Sequence, residues 1–336
     1  MIALFRALKA AFNYGFFSEH RFRRVVRRRL LPYYSDEAPR ARNTRKQVIL
    51  MFDGRKNHGG LADRLRGITT TYWFCREQGL DFRCHFVEPF RLEEFLEPNR
   101  YDWRIDPADL SYNSRDARPV YIASQNLGEE RDKRFLRRMA VKFLAANYRQ
   151  LHLYTNMYFE EEHFGEAFRE LFRPAPWLQA LVDEQLARLN NGGGGFIAVS
   201  SRFLEVLGDF NEHRDRPARS PLSPARQQQL IDACCRQIGQ IRSAHPGLPV
   251  LATSDSRRFL EAAARLDGVL VLPGEIGHLD VAGSDARHIH TKTLLDFLVL
   301  CEARAHYYLI GPAMYRGNFS RRAAQVNGAP FHEVHF

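Results

Sequence analysis

Nowhere in the 336-residue chain do eighteen apolar residues follow one another, so no segment is suited to crossing a bilayer as a helix. Cysteine is scarce. Cys75, Cys84, Cys234, Cys235 and Cys301 show neither zinc-ligand spacing nor the even number of a disulfide framework, so reduced, buried thiols are expected. No glycine-rich loop is followed by Lys-Ser or Lys-Thr, which removes the main support for a kinase or sulfotransferase. The first residues lack the pattern of a secretory leader, because Arg6 and Lys9 interrupt the apolar stretch and no small-residue cleavage site follows. A cytoplasmic protein is the expectation.

Acidic residues are few in one place only. The formal net charge is +10, yet residues 1–46 hold 12 Lys/Arg against 3 Asp/Glu, and the remaining residues hold 37 against 36. A protein that tracks nucleic acid spreads its cations over the binding face, so this distribution argues against a nucleic-acid partner. Within the extension, Leu4, Phe5, Leu8, Ala11, Phe12 and Phe16 recur at helical spacing, and Arg21, Arg23, Arg24, Arg27, Arg28 and Arg29 follow at once. Two readings fit: a basic amphipathic helix in peripheral contact with an anionic membrane surface through residues 1–30, or a helix docked on the body with a solvated basic face.

The body reads as alternating strands and helices. Gln47–Phe52 is a continuous apolar run, as expected of a strand buried on both faces of a parallel sheet. A helix over about 61–78 and a strand at 82–87 complete one βαβ unit, and weaker strands at 120–122 and 150–154 flank a helix near 133–147. After Pro174 and Pro176 comes a helix at 177–189 and then the run Asn190–Gly195, which reads as a connector rather than a phosphate cradle. Strands are expected at 196–199, 249–253, 269–272 and 306–310. Helices are expected at 224–243, 256–266 and 293–303, with the start of a last one at 318–325. Three parts follow: a basic extension at 1–46, an α/β domain at 47–175, and a second at 176–336. Two doubly wound Rossmann-type domains are expected to face a cleft, with ligands beyond the carboxyl ends of the strands.

Four loops after strands carry candidate chemistry. Gly59 and Gly60 allow close backbone approach, and Asp63 and Arg64 open the following helix, whose free N–H groups suit a pyrophosphate. Arg202 follows the strand that ends at Ser200-Ser201. There it is placed either to stabilise charge on a departing diphosphate, a contribution of roughly 3–4 kcal/mol in comparable sites, or to pair with Glu205 or Asp209. Those two acids are also candidates to accept a proton from an acceptor hydroxyl. Thr253, Ser254, Asp255 and Ser256 suit a ribose or a base, and Asp255 or Ser254 suits the cap of the next helix. Asn318, Phe319 and Ser320 open the last helix. His278 beside Asp280 reads as a hydrogen-bonded pair. His288 and His290 alternate along what reads as an extended segment without partner ligands, so no metal site is expected.

Taken in order, these loops make the sequence resemble the fucosyltransferase superfamily of GT-B glycosyltransferases, which includes nodulation α1,6-, α1,2- and protein O-fucosyltransferases. Gly60-Leu61-Ala62-Asp63-Arg64 is similar to the family's Gly-x-Gly-Asn-x loop, and Ser200-Ser201-Arg202 to its His-x-Arg strand end. Thr253-Ser254-Asp255-Ser256 is similar to a Thr-Asp/Ser-Asp element, and Gly317–Ala323 to a Ser-x-Phe-Ser-x-x-Ala helix start. The matches span residues 59–323. Ser200 stands where the family has histidine, and Asp63 where it has asparagine. The resemblance implies inverting transfer of fucose from GDP-fucose to a glycan hydroxyl, on a surface polysaccharide or a lipid-linked oligosaccharide, with no cofactor and no metal. The absence of an Asp-x-Asp motif agrees with that. Arg202 would hold the β-phosphate, Asp255 and Ser256 the nucleotide, and Asn318, Phe319 and Ser320 the pyrophosphate. Asp209 or Glu212 would then be the base, with Glu205 structural. A different nucleotide sugar, or a non-catalytic binder of nucleotides or polyanions with the same fold, is the alternative.

Overall fold

The structure is a computed structural model that describes residues 22–122, 129–156, 163–190, 193–210, 220–279 and 286–336. The amphipathic stretch at 4–16, Glu212 and Asp280 lie outside the described residues. In chain order the elements begin with β1 (Gln47–Phe52), α1 (Leu61–Glu77), β2 (Asp81–Phe86), β3 (Leu96–Pro98), β4 (Ala117–Tyr121), α2 (Glu129–Ala145), β5 (Gln150–Tyr154) and α3 (Phe164–Leu171). They continue with β6 (Phe172–Pro174), α4 (Pro176–Leu189), β7 (Ile197–Ser201), α5 (Pro224–Ala244), β8 (Val250–Ser254) and α6 (Arg257–Ala263). The last are β9 (Val269–Leu270), α7 (Arg287–Cys301), β10 (Ala305–Ile310), α8 (Phe319–Asn327) and β11 (Phe331–His335). The chain divides into two compact units. The first holds residues up to 59, 63–88 and 98–171; the second holds 60–62, 89–97 and 172–336.

In the first unit the strands run β2-β1-β5-β4, and every pairing is parallel. All six residues of β1 and all five of β5 are buried; β1 reads as an apolar run, whereas the buried Gln150 and His152 interrupt β5, which is why it reads more weakly. Sequence order reverses between β1 and β5, so the loops after these two strands meet at the switch point of the sheet. The basic stretch ends against this sheet. Leu30 is fully buried with Ile49, Met51, Ile105 and Tyr154, while Arg23, Arg24, Arg27, Arg28 and Arg29 face solvent. Its described part is therefore a docked helical turn with a solvated basic face.

The second unit has order β11-β10-β7-β8-β9, again all parallel. β11 was not expected from sequence, because Phe331–His335 is polar and only half-buried, as an edge strand allows. α7 begins at Arg287, six residues before the expected start, so His288 and His290 lie on a helix and not on an extended segment. His290 is buried against the Phe90 ring at 4.7 Å, and His288 pairs with exposed Glu275. All five cysteines are free, and all but Cys235 are buried. Among the described residues no helix is long and apolar enough to cross a membrane.

A polar network is sealed inside the first unit. His152 is fully buried between Tyr34 Oη at 2.7 Å and Gln150 Oε1 at 3.1 Å. Gln150 Oε1 can only accept, so His152 donates from Nε2, and its Nδ1 accepts the Tyr34 proton. Burial, with His85 and Arg55 nearby, pulls the pKa of His152 down to about 3. Burial, with Arg64 and Lys56 nearby, does the same to His58. Both rings are neutral in the fold but charge near pH 6.5 once unfolded. The unfolded chain therefore binds more protons between about pH 6.5 and 3, and stability falls as pH drops through that window, by up to about 1.4 kcal/mol per pH unit for each ring. Urea titrations at pH 7.5 and 4.5 check this. His152→Phe is expected to lower the midpoint at pH 7.5, by leaving the buried Tyr34 hydroxyl without its acceptor, while shrinking the loss on acidification.

Candidate functional site

In the second unit, sequence order reverses between β7 and β10, and the loops that leave these strands carry Arg202 and residues 311–318. This is the switch point where open α/β sheets bind ligands. The structure brings three of the expected segments together there: Arg202, Asp255, and the turn before α8.

The turn after β7 is held by one carboxylate. Asp255 accepts the backbone N–H of Phe203 and of Leu204, each at 2.8 Å, and lies 3.9 Å from Arg202 Nε. Leu204 has φ of 52°, a left-handed conformation that is costly for a branched side chain, of order 1–2 kcal/mol. Two charge-assisted hydrogen bonds at about 1.5–3 kcal/mol each are enough to hold it. Burial pushes the Asp255 carboxyl upward, and the Phe203 N–H and Arg202 oppose that shift. The turn closes at Gly208, whose φ of 76° suits glycine.

Residues after β10 wrap around the arginine. Tyr315 N donates to Arg202 O at 2.9 Å, and the guanidinium lies 5.6 Å from the Tyr315 ring. Tyr308 Oη accepts from Gly317 N at 2.7 Å and donates to Tyr315 O at 2.9 Å. Burial lifts the pKa of Tyr308 to about 12, so the hydroxyl keeps the proton it donates. At Gly317 a Cβ would meet Arg202 Cδ and Tyr308 Oη, both at 3.1 Å, so glycine lets the chain pass directly over the arginine stem. Tyr308 organises this loop and was missed in sequence, since a tyrosine inside Ala305–Ile310 reads as ordinary strand core.

The other expected residues divide between exposed and structural positions. Asn318 is the exposed residue before α8. Phe319 packs edge-on to Phe297, and Ser320 is buried with its hydroxyl 3.3 Å from His306 Nδ1, so this helix start offers backbone N–H groups rather than these two side chains. Ser200 and Thr253 share a 2.7 Å hydroxyl hydrogen bond across β7 and β8. Ser256, not Asp255 or Ser254, caps α6 by accepting from Phe259 N. Asp209 Oδ2 accepts from Ser256 Oγ at 2.8 Å and from Arg258 N at 2.9 Å, which joins the turn to α6. Glu205 is buried in the 3₁₀ turn Leu204–Leu207.

In the first unit, Asp63 pairs with Arg66 at 3.0 Å, which offsets its charge. Arg64 is buried and donates to Gly59 O at 2.9 Å and to Glu88 O at 2.7 Å, tying the loop to the end of β2. Gly59, with φ of 80°, sits so close to Asp63 that a Cβ would meet Oδ2 at 2.7 Å. Gly60 falls in the second unit, where a Cβ would lie 3.4 Å from His278 Nε2. Among the described residues no three His, Cys, Asp or Glu side chains converge as a metal site would require.

Asp255→Asn tests the brace. The amide keeps one acceptor oxygen and loses the charge, so stability is expected to fall by about 2 kcal/mol in urea unfolding.

No protein-family profile and no curated protein matches the sequence. Solved structures do match the fold. A mutant of Arabidopsis thaliana FUT1 in complex with GDP superposes with a TM-score of 0.53 at 12% identity, over 96% of this chain and 79% of that one. The NodZ alpha-1,6-fucosyltransferase soaked with GDP-fucose gives 0.51 at 14% identity, over 84% and 92%. POFUT1 in its apo form gives 0.52 at 9% identity, over 88% and 99%. The chain has the paired Rossmann-like α/β fold found in these fucosyltransferases.

Proposed function

We propose that the protein is an inverting glycosyltransferase that moves fucose from GDP-fucose to a hydroxyl of a surface-polysaccharide or lipid-linked oligosaccharide, without a metal. The observation that carries this reading is the meeting of Arg202, braced by Asp255, with the residues before α8 at the switch point between β7 and β10. A guanidinium beside a helix start suits a pyrophosphate, and together they supply the positive field that a divalent cation supplies elsewhere. Fold neighbours crystallised with GDP or GDP-fucose support this choice of donor.

In the proposed step the acceptor oxygen bonds to the anomeric carbon as the bond to the β-phosphate oxygen breaks on the opposite face. Charge growing on that oxygen is met by Arg202 and by backbone N–H groups of Asn318, Phe319 and Ser320. The acceptor proton passes to a carboxylate, for which this loop offers Asp209 and Glu205. Residues 47–175 serve the acceptor and residues 176–336 the donor, while residues 1–30 hold the enzyme at an anionic membrane.

A second reading concerns the donor. Ser200, at the family's histidine position, spends its hydroxyl on Thr253 within the sheet, which favours a nucleotide sugar whose base needs no partner there. Calorimetry with GDP, UDP and an RNA oligomer separates the readings. The first expects GDP alone to bind, a different donor expects another nucleoside diphosphate, and a polyanion binder expects RNA.

With labelled GDP-fucose and a glycan acceptor, Arg202→Ala is expected to lower kcat about 100- to 1,000-fold at an unchanged urea midpoint, and excess EDTA is expected to leave wild-type turnover intact. Unchanged turnover in the variant would end the assignment. The pH–rate profiles of Asp209→Asn and Glu205→Gln identify the base, as the variant that loses the acidic limb.

A further inference from the structure

Beside the edge strand of the first unit lies a groove that the donor reading does not use. It is walled by β4, by the last two turns of α2 and by the segment from Phe22 to Leu31, and encloses about 520 Å³. Its floor is apolar, with Val26, Met139 and Phe143 among the lining residues. Its charged lining is Arg23, Arg118, Arg138 and Lys142, all exposed and without a carboxylate among the described lining residues.

The surface around it has the same character. Six large apolar side chains stand out as exposed among the described residues; three of them, Leu31, Val141 and Leu144, sit on the two helical segments that wall this groove, and a fourth, Tyr33, lies two residues beyond Leu31. On α2, Arg137, Val141 and Leu144 share one exposed stripe at helical spacing, and Arg138 and Lys142 turn the next stripe toward the groove. Arg24, Arg27, Arg28 and Arg29 are exposed on the opposite wall. Lys46 Nζ caps the end of α2 by donating to Phe143 O at 3.2 Å and Ala146 O at 2.8 Å, so the stripe is carried on an anchored helix end.

We infer that this face is a docking surface for an anionic phospholipid bilayer, with Val141, Leu144 and Leu31 entering the interface, phosphates meeting Arg138, Lys142 and Arg118, and the groove receiving part of one lipid. Cations alone would equally suit nucleic acid. Exposed hydrocarbon between them contributes nothing to phosphate tracking, and it is what a membrane interface rewards. The surface takes in residues 22–31 of the stretch proposed above to meet the membrane and adds α2 and β4 to it; it shares no residue with the donor site, so it stands whether or not the proposed reaction does.

Sedimentation of the full chain with vesicles tests it. Binding is expected to vesicles of mixed phosphatidylglycerol and phosphatidylcholine, to weaken with salt, and to be lost on phosphatidylcholine alone. Arg138→Ala with Lys142→Ala is expected to weaken binding about thirtyfold, from about a kilocalorie per cation near the surface. Val141→Ser with Leu144→Ser, which keeps every charge, is expected to weaken it at least about tenfold. Both pairs are solvent-exposed, and unchanged urea midpoints show that the fold persists. Wild-type vesicle binding in both variants would place any membrane contact in residues 1–21 and overturn the inference. So would equal binding to neutral vesicles, or no vesicle binding with self-association that the serine variant abolishes.

Discussion

The candidate site depends on one carboxylate that is spent on backbone. Asp255 could have formed a close pair with Arg202, but it accepts two N–H groups at 2.8 Å and leaves the guanidinium Nε at 3.9 Å. The strained turn at Leu204 is therefore held, and the arginine that begins it is aimed, while the ion pair stays loose. A tight bidentate pair would have locked the guanidinium. A missing carboxylate would have left the turn free to relax to an ordinary φ, with Arg202 following it.

Around that brace, each neighbour fixes the next. Ser256 caps α6 and also donates to Asp209, which accepts from Arg258 N, so the far end of the same turn is tied to the helix that follows Asp255. Tyr308 holds both Tyr315 O and Gly317 N, and Tyr315 N returns to Arg202 O. Carboxylate, tyrosine and glycine thus position one arginine from two loops. The first unit uses the same tactic on a different loop, where Arg64 binds Gly59 O and Glu88 O, and Arg66 binds both Asp63 and Asn156 O. Arginines there are spent on carbonyls and carboxylates inside the unit.

The strands that were easiest to read were the largely buried ones, since β1, β7, β8 and β10 are mostly apolar. β11 was missed because an edge strand needs no such run, and the start of α7 was misplaced because His288 and His290, two apart, imitate strand alternation. The location of the site was legible, since arginine after a buried strand and glycine before a helix are local signals. The division of labour within it was not. Nothing local says that Asp255 holds backbone or that Phe319 and Ser320 turn inward, because each depends on a partner roughly 15 to 55 positions away in sequence.

That inward turn bears on what the end of α8 can do. With Phe319 on Phe297 and Ser320 beside His306, the helix start is pinned from within, and its first N–H groups keep a fixed direction. Fixed dipoles need no rearrangement when charge appears before them, whereas a flexible serine or asparagine would have to be ordered first. Arg202 has the same property by a different route, with its stem against Gly317 and its backbone carbonyl held by Tyr315. A positive helix end beside an arginine whose stem and carbonyl are held, with its guanidinium left loosely paired, is the arrangement that the proposed transfer asks for.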